Sequence, residues 1–314
     1  MDVRPRLDPA LLRFVDSFTL DFTTLTDADL RALRAQNVAA ARQIVVSDAV
    51  RREDVLVPSP GAPDVPVRVY RLRRAGGGPR PCVVWMHGGG YVLGTHEMED
   101  ARFDRWCRAF GCVGLSVGYR LSPETPYPGP LEDCYAALAW VRTNAAALGV
   151  DPDRIGIGGA SAGGGLAAGL ALLARDRAEV PVAFQALVYP MLDDRQATDS
   201  SRWDVPIWPP AANRFGWDAY LRGVDRDRLD PAAAPARAPD LRGLAPMLVV
   251  VGALDGLVDE DVEYARRANG AGVDVDLHVY RGAPHGIESL APGTALGGRV
   301  RGDVERWLGE RLRQ

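Results

Sequence analysis

The run Arg154-Ile155-Gly156-Ile157-Gly158-Gly159-Ala160-Ser161-Ala162-Gly163-Gly164-Gly165 decides the fold. Its first five residues read as a strand, Gly159-Ala160-Ser161-Ala162-Gly163 as a sharp GxSxG turn, and residues 164–174 as a helix. A serine at such a turn sits on strained backbone, and side chains two positions to either side would collide with the neighbouring strand and helix. The helix that follows aims its N-terminal amides at the serine, where negative charge develops during acyl transfer. Dinucleotide folds also place glycines at a strand-to-helix turn, but they need GxGxxG. Residues 156–161 end in Ser161, and no convincing ribose-binding acid follows. The same region imitates a membrane span, because residues 155–174 carry no charge and Gly165 and Gly169 form a GxxxG. Seven glycines in that run, five of them between positions 158 and 165, favour strand, bend and buried helix over a span.

Outward from this turn, short continuous apolar runs recur at residues 82–86, 112–117, 154–158, 184–189, 247–251 and 275–280, separated by helical stretches. Strands buried on both faces look like this, and their alternation with helices predicts right-handed crossovers and a mainly parallel sheet. Before them, residues 55–72 alternate with period two and predict an antiparallel strand at a sheet edge. Leu11, Leu12, Val15 and Phe18 share one helical face, and Thr26, Asp27 and Asp29 signal the start of a second helix. A last helix carries Val300, Val304, Trp307 and Leu308 on one side. Residues 193–229 interrupt the pattern for too long to be an ordinary connection. They hold Trp203, Trp208, Phe215, Trp217 and Tyr220, which suit either a cap over a pocket or packing within that cap. The Pro/Ala stretch at residues 231–239 is the nearest thing to a linker.

His87-Gly88-Gly89-Gly90 directly follows the strand 83–86, and three glycines leave backbone N–H groups unshielded, able to converge on one point as an oxyanion hole needs. Ala162, after the serine, would add another N–H. A serine requires a base, and four histidines are available. His87 precedes the serine and reads as a loop organiser, His96 follows the glycine loop, and His278 lies within a strand. His285 sits in a loop just past the last strand and is the choice. The carboxylate that orients it is Asp255, at the end of the preceding strand, with Asp259 as rival. Asp151, Asp153 and Asp193 read as caps and turn formers.

The composition excludes several classes. The chain has 314 residues, 47% hydrophobic and 25% charged, enough to build a sizeable core. Thirty-seven basic against 41 acidic residues give a net charge of -4 and offer no footprint for nucleic acid. No lysine occurs, which removes Schiff-base, Ser-Lys and Walker-lysine chemistry. Cys82, Cys107, Cys112 and Cys134 lack a CxxC and read as buried, reduced thiols without a metal. The first residues hold no apolar signal segment, so a cytoplasmic location is expected.

The sequence resembles the hormone-sensitive-lipase-like family of α/β-hydrolase esterases. The resemblance runs through His87-Gly88-Gly89-Gly90-Tyr91-Val92, Tyr119-Arg120-Leu121-Ser122-Pro123-Glu124, Asp151-Pro152-Asp153-Arg154-Ile155, Ser161-Ala162-Gly163-Gly164, Tyr189-Pro190, Asp255-Gly256-Leu257-Val258-Asp259-Glu260 and His285-Gly286. It implies an α/β-hydrolase fold: a mostly parallel central sheet flanked by helices, with a helical cap. The cap would comprise residues 1–45 and 193–229 over a catalytic core of 46–192 and 230–314, in one integrated unit. It also implies a triad of Ser161, Asp255 and His285, oxyanion donors at Gly89, Gly90 and Ala162 with Gly88 supporting, and no metal or organic cofactor. The implied activity is a serine carboxylesterase acting on small esters of short or medium acyl chain, with no membrane span and with dimerisation through the last-strand edge open to it. An amidase or formamidase on the same triad is the nearest alternative, and a non-catalytic ligand-binding protein the next. Ala160, Gly256 and Ile287 depart from the acidic residue, proline and phenylalanine common in the family, which bears on pocket shape.

Overall fold

The computed structural model describes residues 1–74 and 76–313. Eight strands, β1 (Val50–Val57), β2 (Val65–Leu72), β3 (Arg80–Met86), β4 (Val113–Val117), β5 (Val150–Ala160), β6 (Gln185–Val188), β7 (Met247–Gly252) and β8 (Val275–Tyr280), form one sheet in the order β1-β2-β4-β3-β5-β6-β7-β8. Only β2 runs against its neighbours; from β4 to β8 every pair is parallel. The single edge strand expected over residues 55–72 is therefore a hairpin. Pro58, Pro60 and Pro63 lack a ladder N–H and Gly61 takes a φ of 75° between its two arms, so the chain reverses there.

Alternate side chains of the central strands sort the core into two layers. Val84 and Met86 face one side with Leu115, Ile157 and Val249, covered by the helices Gly129–Thr143, Ala162–Arg177 and Val258–Gly270. Val83 and Trp85 face the other with Leu248 and Val250, covered by Asp100–Phe110 and Ala295–Arg313. The last helix buries Val300, Val304, Trp307 and Leu308, the face its spacing predicts. The second N-terminal helix, Asp27–Ala41, begins with a Thr26/Asp29 capping box. The uncharged run 155–174 divides between β5 and the helix after it, and no helix among the described residues is long and apolar enough to cross a membrane. All four cysteines are free and buried.

Residues 231–239 are not a linker. Ala232, Ala233 and Ala234 are buried, the Ala232 carbonyl packs on Gly169, and Arg237 forks onto the buried Asp194 carboxylate at 2.6 and 2.8 Å. Small residues there serve close approach to a helix, not flexibility. The glycines of the 159–163 turn serve the same end: a Cβ on Gly163 would lie 2.1 Å from the Met86 carbonyl oxygen and 2.4 Å from that of His87.

Both obstructing atoms are backbone, so Gly163→Ala should lower unfolding stability by about 3 kcal/mol in urea titration. Gly302→Ala, in the last helix with nothing within 4 Å of the new methyl, should instead raise it by about 0.5–1 kcal/mol.

Candidate active site

Ser161 lies between β5 and the helix Ala162–Arg177 with φ 57° and ψ -121°. Three backbone bonds hold it in that conformation: its N–H donates to Val188 O at 2.9 Å, and its carbonyl accepts from Gly165 N–H at 3.0 Å and Met191 N–H at 3.1 Å. The hydroxyl is thereby presented away from the sheet. His285 Nε2 is 2.9 Å from Ser161 Oγ, and His285 Nδ1 is 2.7 Å from Asp255 Oδ2. A carboxylate can only accept, so Nδ1 carries the ring hydrogen and the Nε2 lone pair faces the serine O–H. Asp255 is fully buried and its other oxygen accepts the Leu257 N–H at 3.1 Å. The rival Asp259 is turned elsewhere: its Oδ2 accepts the Ser200 N–H at 2.8 Å and so ties the segment after β6 to the helix Val258–Gly270.

The glycine loop lies against the serine turn. A Cβ on Gly88 would be 3.1 Å from Ala160 O and 3.5 Å from Ser161 Cβ. Val92 and Leu93 both donate to Gly89 O, whereas the N–H groups of Gly89 and Gly90 donate to no protein acceptor among the described residues. Gly89 and Gly90 adopt φ of 127° and 62°, a region closed to most side chains, and Trp208 occupies the space a Cβ on Gly90 would need. Ala162 opens the helix at Ser161, where a first-turn N–H has no intrahelical partner. His87 organises this loop from behind. Its Nδ1 donates to Gly88 O at 2.8 Å, its ring stacks on Tyr119 at 4.3 Å, and the Tyr119 hydroxyl donates to His87 O at 2.8 Å. His96 lies in the turn His96–Glu99, and His278 in the edge strand β8.

A cavity of about 920 Å³ opens onto Ser161, Gly88, Gly89, Gly90 and His285. Its wall takes Phe18, Leu20, Phe22 and Leu33 from the N-terminal segment and Trp208 from the insertion. Of the five aromatics in residues 193–229, only Trp208 lines the cavity; Trp217 and Tyr220 pack on Tyr91, Phe215 on Phe22, and Trp203 against the core. Among the described residues no cluster of three or more His, Cys, Asp or Glu side chains is placed to hold a metal ion.

Several residues around the site carried no role in the sequence. Arg34 donates to Val92 O at 2.8 Å and Ser122 O at 2.7 Å and forks onto Glu124 at 2.8 and 3.0 Å, clamping an N-terminal helix to the glycine loop. Tyr189 sets its ring edge-on to His285 at 4.8 Å, and its hydroxyl donates to Glu288 at 3.1 Å. Behind Asp255, burial pushes the Glu260 and Asp261 carboxyls well above the usual range, with neighbouring acids adding to it. Spacing gave no signal for these, since the partners are scattered along the chain.

Comparison with known proteins agrees with this geometry. A family described as alpha/beta hydrolase fold matches residues 83–289. The chain is 39% identical over 245 residues to "Carboxylic ester hydrolase LipN" of Mycobacterium tuberculosis, covering 76% of this chain and 64% of LipN. It is 35% identical over 297 residues to "Carboxylesterase NlhH" of the same organism, covering 92% and 91% of the two chains. Among solved structures it superposes on "Bacterial Heroin Esterase" with a TM-score of 0.92 at 38% identity, over 99% of both chains.

Burial pulls the His87 imidazole down to about 4, against the opposing effect of its bond to Gly88. Between an unfolded value near 6.5 and that folded value the unfolded chain binds a proton that the native state refuses, so this contribution is present at neutral pH and lost as pH falls. Urea unfolding from pH 7 to pH 4.5 should therefore cost the wild type about 2 kcal/mol more than His87→Gln.

Proposed function

The chain belongs to the α/β-hydrolase family, in its hormone-sensitive-lipase-like branch, and from that we propose that it is a serine carboxylesterase of small esters working through an acyl-enzyme. The reading rests on the Asp255–His285–Ser161 chain of 2.7 and 2.9 Å at the floor of a cavity, beside N–H groups without partners among the described residues. Ser161 is the nucleophile and His285 Nε2 its general base. As Oγ attacks the ester carbonyl, the serine proton passes to Nε2, and Asp255 holds the tautomer and stabilises the imidazolium. The N–H groups of Gly89, Gly90 and Ala162 bind the oxyanion, each worth about 3 kcal/mol of barrier, with Gly88 giving the loop its close approach. His285 then returns the proton to the leaving alcohol. Water, activated by the same imidazole, releases the acid.

The cap role falls to residues 1–45 and 193–229, which supply the cavity wall facing the serine. A cavity of about 920 Å³ is of the size that takes drug-like ligands and favours short and medium acyl chains over long triglycerides. We also infer a homodimer through β8, one of the two edge strands, where Leu277 and Val279 are 39% and 46% exposed.

Ser161→Ala should abolish labelling by a fluorophosphonate and lower p-nitrophenyl acetate turnover by about a thousandfold or more. Across p-nitrophenyl esters of increasing length, kcat/KM should peak at short or medium chains, and each ester should exceed its matching amide. A faster amide, or a labelled Ser161→Ala protein, would defeat the assignment.

A further inference from the structure

The two hydrogen bonds of His285 fix only the line from Nδ1 to Nε2. They leave the ring free to tilt about it. Yet the imidazole must serve as base toward Ser161 and then as acid toward the leaving group, so its tilt matters at both transfers. What bounds the tilt is aromatic: Trp208 lies near-parallel at 6.2 Å on one side, and the Tyr189 ring meets the imidazole at 4.8 Å and 63°. Tyr189 is itself strained at φ 38°, so something must hold it.

That hold is a buried ionic network. The Tyr189 hydroxyl donates to Glu288 Oε1 at 3.1 Å, and the same oxygen accepts Arg102 Nη2–H at 2.9 Å. Arg102 also donates Nε–H to Glu99 Oε2 at 2.6 Å, and its guanidinium rests on the rings of Trp85 and Trp106 at 4.6 and 5.4 Å. Burial disfavours the Glu288 charge, but the Arg102 charge and the bonds from Arg102, Tyr189 and Ser289 outweigh it and keep the carboxyl below its usual range. Glu288 sits three residues after His285, in the short helix Ile287–Leu290 that follows Gly286. The network thus grips the histidine loop and the tyrosine at once.

We propose that the Arg102–Glu288 ion pair, through the Tyr189 hydroxyl, positions the His285 imidazole for its two proton transfers, an inference that rests on the Ser161–His285–Asp255 reading above. Arg102, Glu288 and Tyr189 are then positioning residues of the hydrolysis. The charged and titratable groups around His285 are Asp255 at the end of β7, Glu260 and Asp261 behind it, Tyr189 after β6, Glu288 on its own loop, and Glu99 with Arg102 across the cavity wall. Glu99, Arg102 and Glu288 together sum to one negative charge. Removing the Glu288 charge withdraws a stabiliser of the imidazolium, which a merely structural role would not predict.

The test compares Tyr189→Phe, Glu288→Gln and the double variant with the wild-type enzyme on p-nitrophenyl acetate. Each single variant should lower kcat about tenfold with KM within about twofold, and the double variant should fall no further than the worse single, because both act through one chain of contacts. The acid limb of kcat/KM should move to lower pH by about half a unit in Glu288→Gln and stay in place in Tyr189→Phe. Arg102→Met should match Glu288→Gln in kcat, and Arg102→Lys should recover part of the loss. Unchanged kcat in both Tyr189→Phe and Glu288→Gln, additive losses, or an unmoved acid limb in Glu288→Gln would overturn the proposal. If Ser161→Ala and His285→Ala are inactive in the same assay, such a result defeats this inference alone; if either remains active, the underlying reading falls first.

Discussion

Backbone meets backbone where the helix Ala162–Arg177 leaves the sheet, and most of the site follows from that contact. Gly163 stands so close to the carbonyls of Met86 and His87 that no side chain fits between them, and Gly159 meets Gly163 in the same way. This proximity brings the end of β3, and with it the glycine loop, onto the serine turn. The serine pays with a positive φ, and the bonds from Val188, Gly165 and Met191 keep it there. The serine turn and the glycine loop are therefore set against each other by one packing constraint, before any side chain chooses a rotamer.

Around that rigid centre the protein manages charge by burial. Asp255 is enclosed beside His285 and Leu257, while desolvation holds the carboxyls of Glu260 and Asp261, on the next turn of the chain, well above their usual range. Of these three carboxyls, Asp255 is the one bonded to the imidazole. On the other flank, Glu288 keeps its charge because Arg102 accompanies it. The same residue type shifts in opposite directions within one site, Glu260 upward and Glu288 downward, and the difference is whether an arginine comes with it.

The cavity joins the rigid centre to a wall drawn from two distant segments. Phe22 meets Trp208 edge-on at 5.0 Å, so the N-terminal segment and the insertion close the space over the serine together. Arg34 fastens the N-terminal helix to the glycine loop and to Glu124, linking the shape of the wall to the loop that would hold the oxyanion. The cavity wall and the glycine loop are in this way mechanically connected, although they come from segments far apart in the chain.

Much of this was legible in the residues themselves. Period and apolar runs located the parallel strands, because a strand buried on both faces must be apolar throughout, and the glycines at 159 and 163 announced a turn without room for side chains. Chain order and loop position singled out His285 and Asp255, since the C-terminal ends of parallel strands gather at one edge of the sheet. Other features were invisible. Residues 55–72 alternate without revealing their break into a hairpin, and residues 231–239 have a linker's composition yet pack as core. Nothing in the order of the residues pairs Arg102 with Glu288, 186 positions away, or separates Trp208 from the four other aromatics of its segment. Local pattern determines elements and turns because backbone sterics and solvent act residue by residue. Which charges meet, and which ring faces the cavity, is decided only when distant segments close on one another, since those energies exist only in contact.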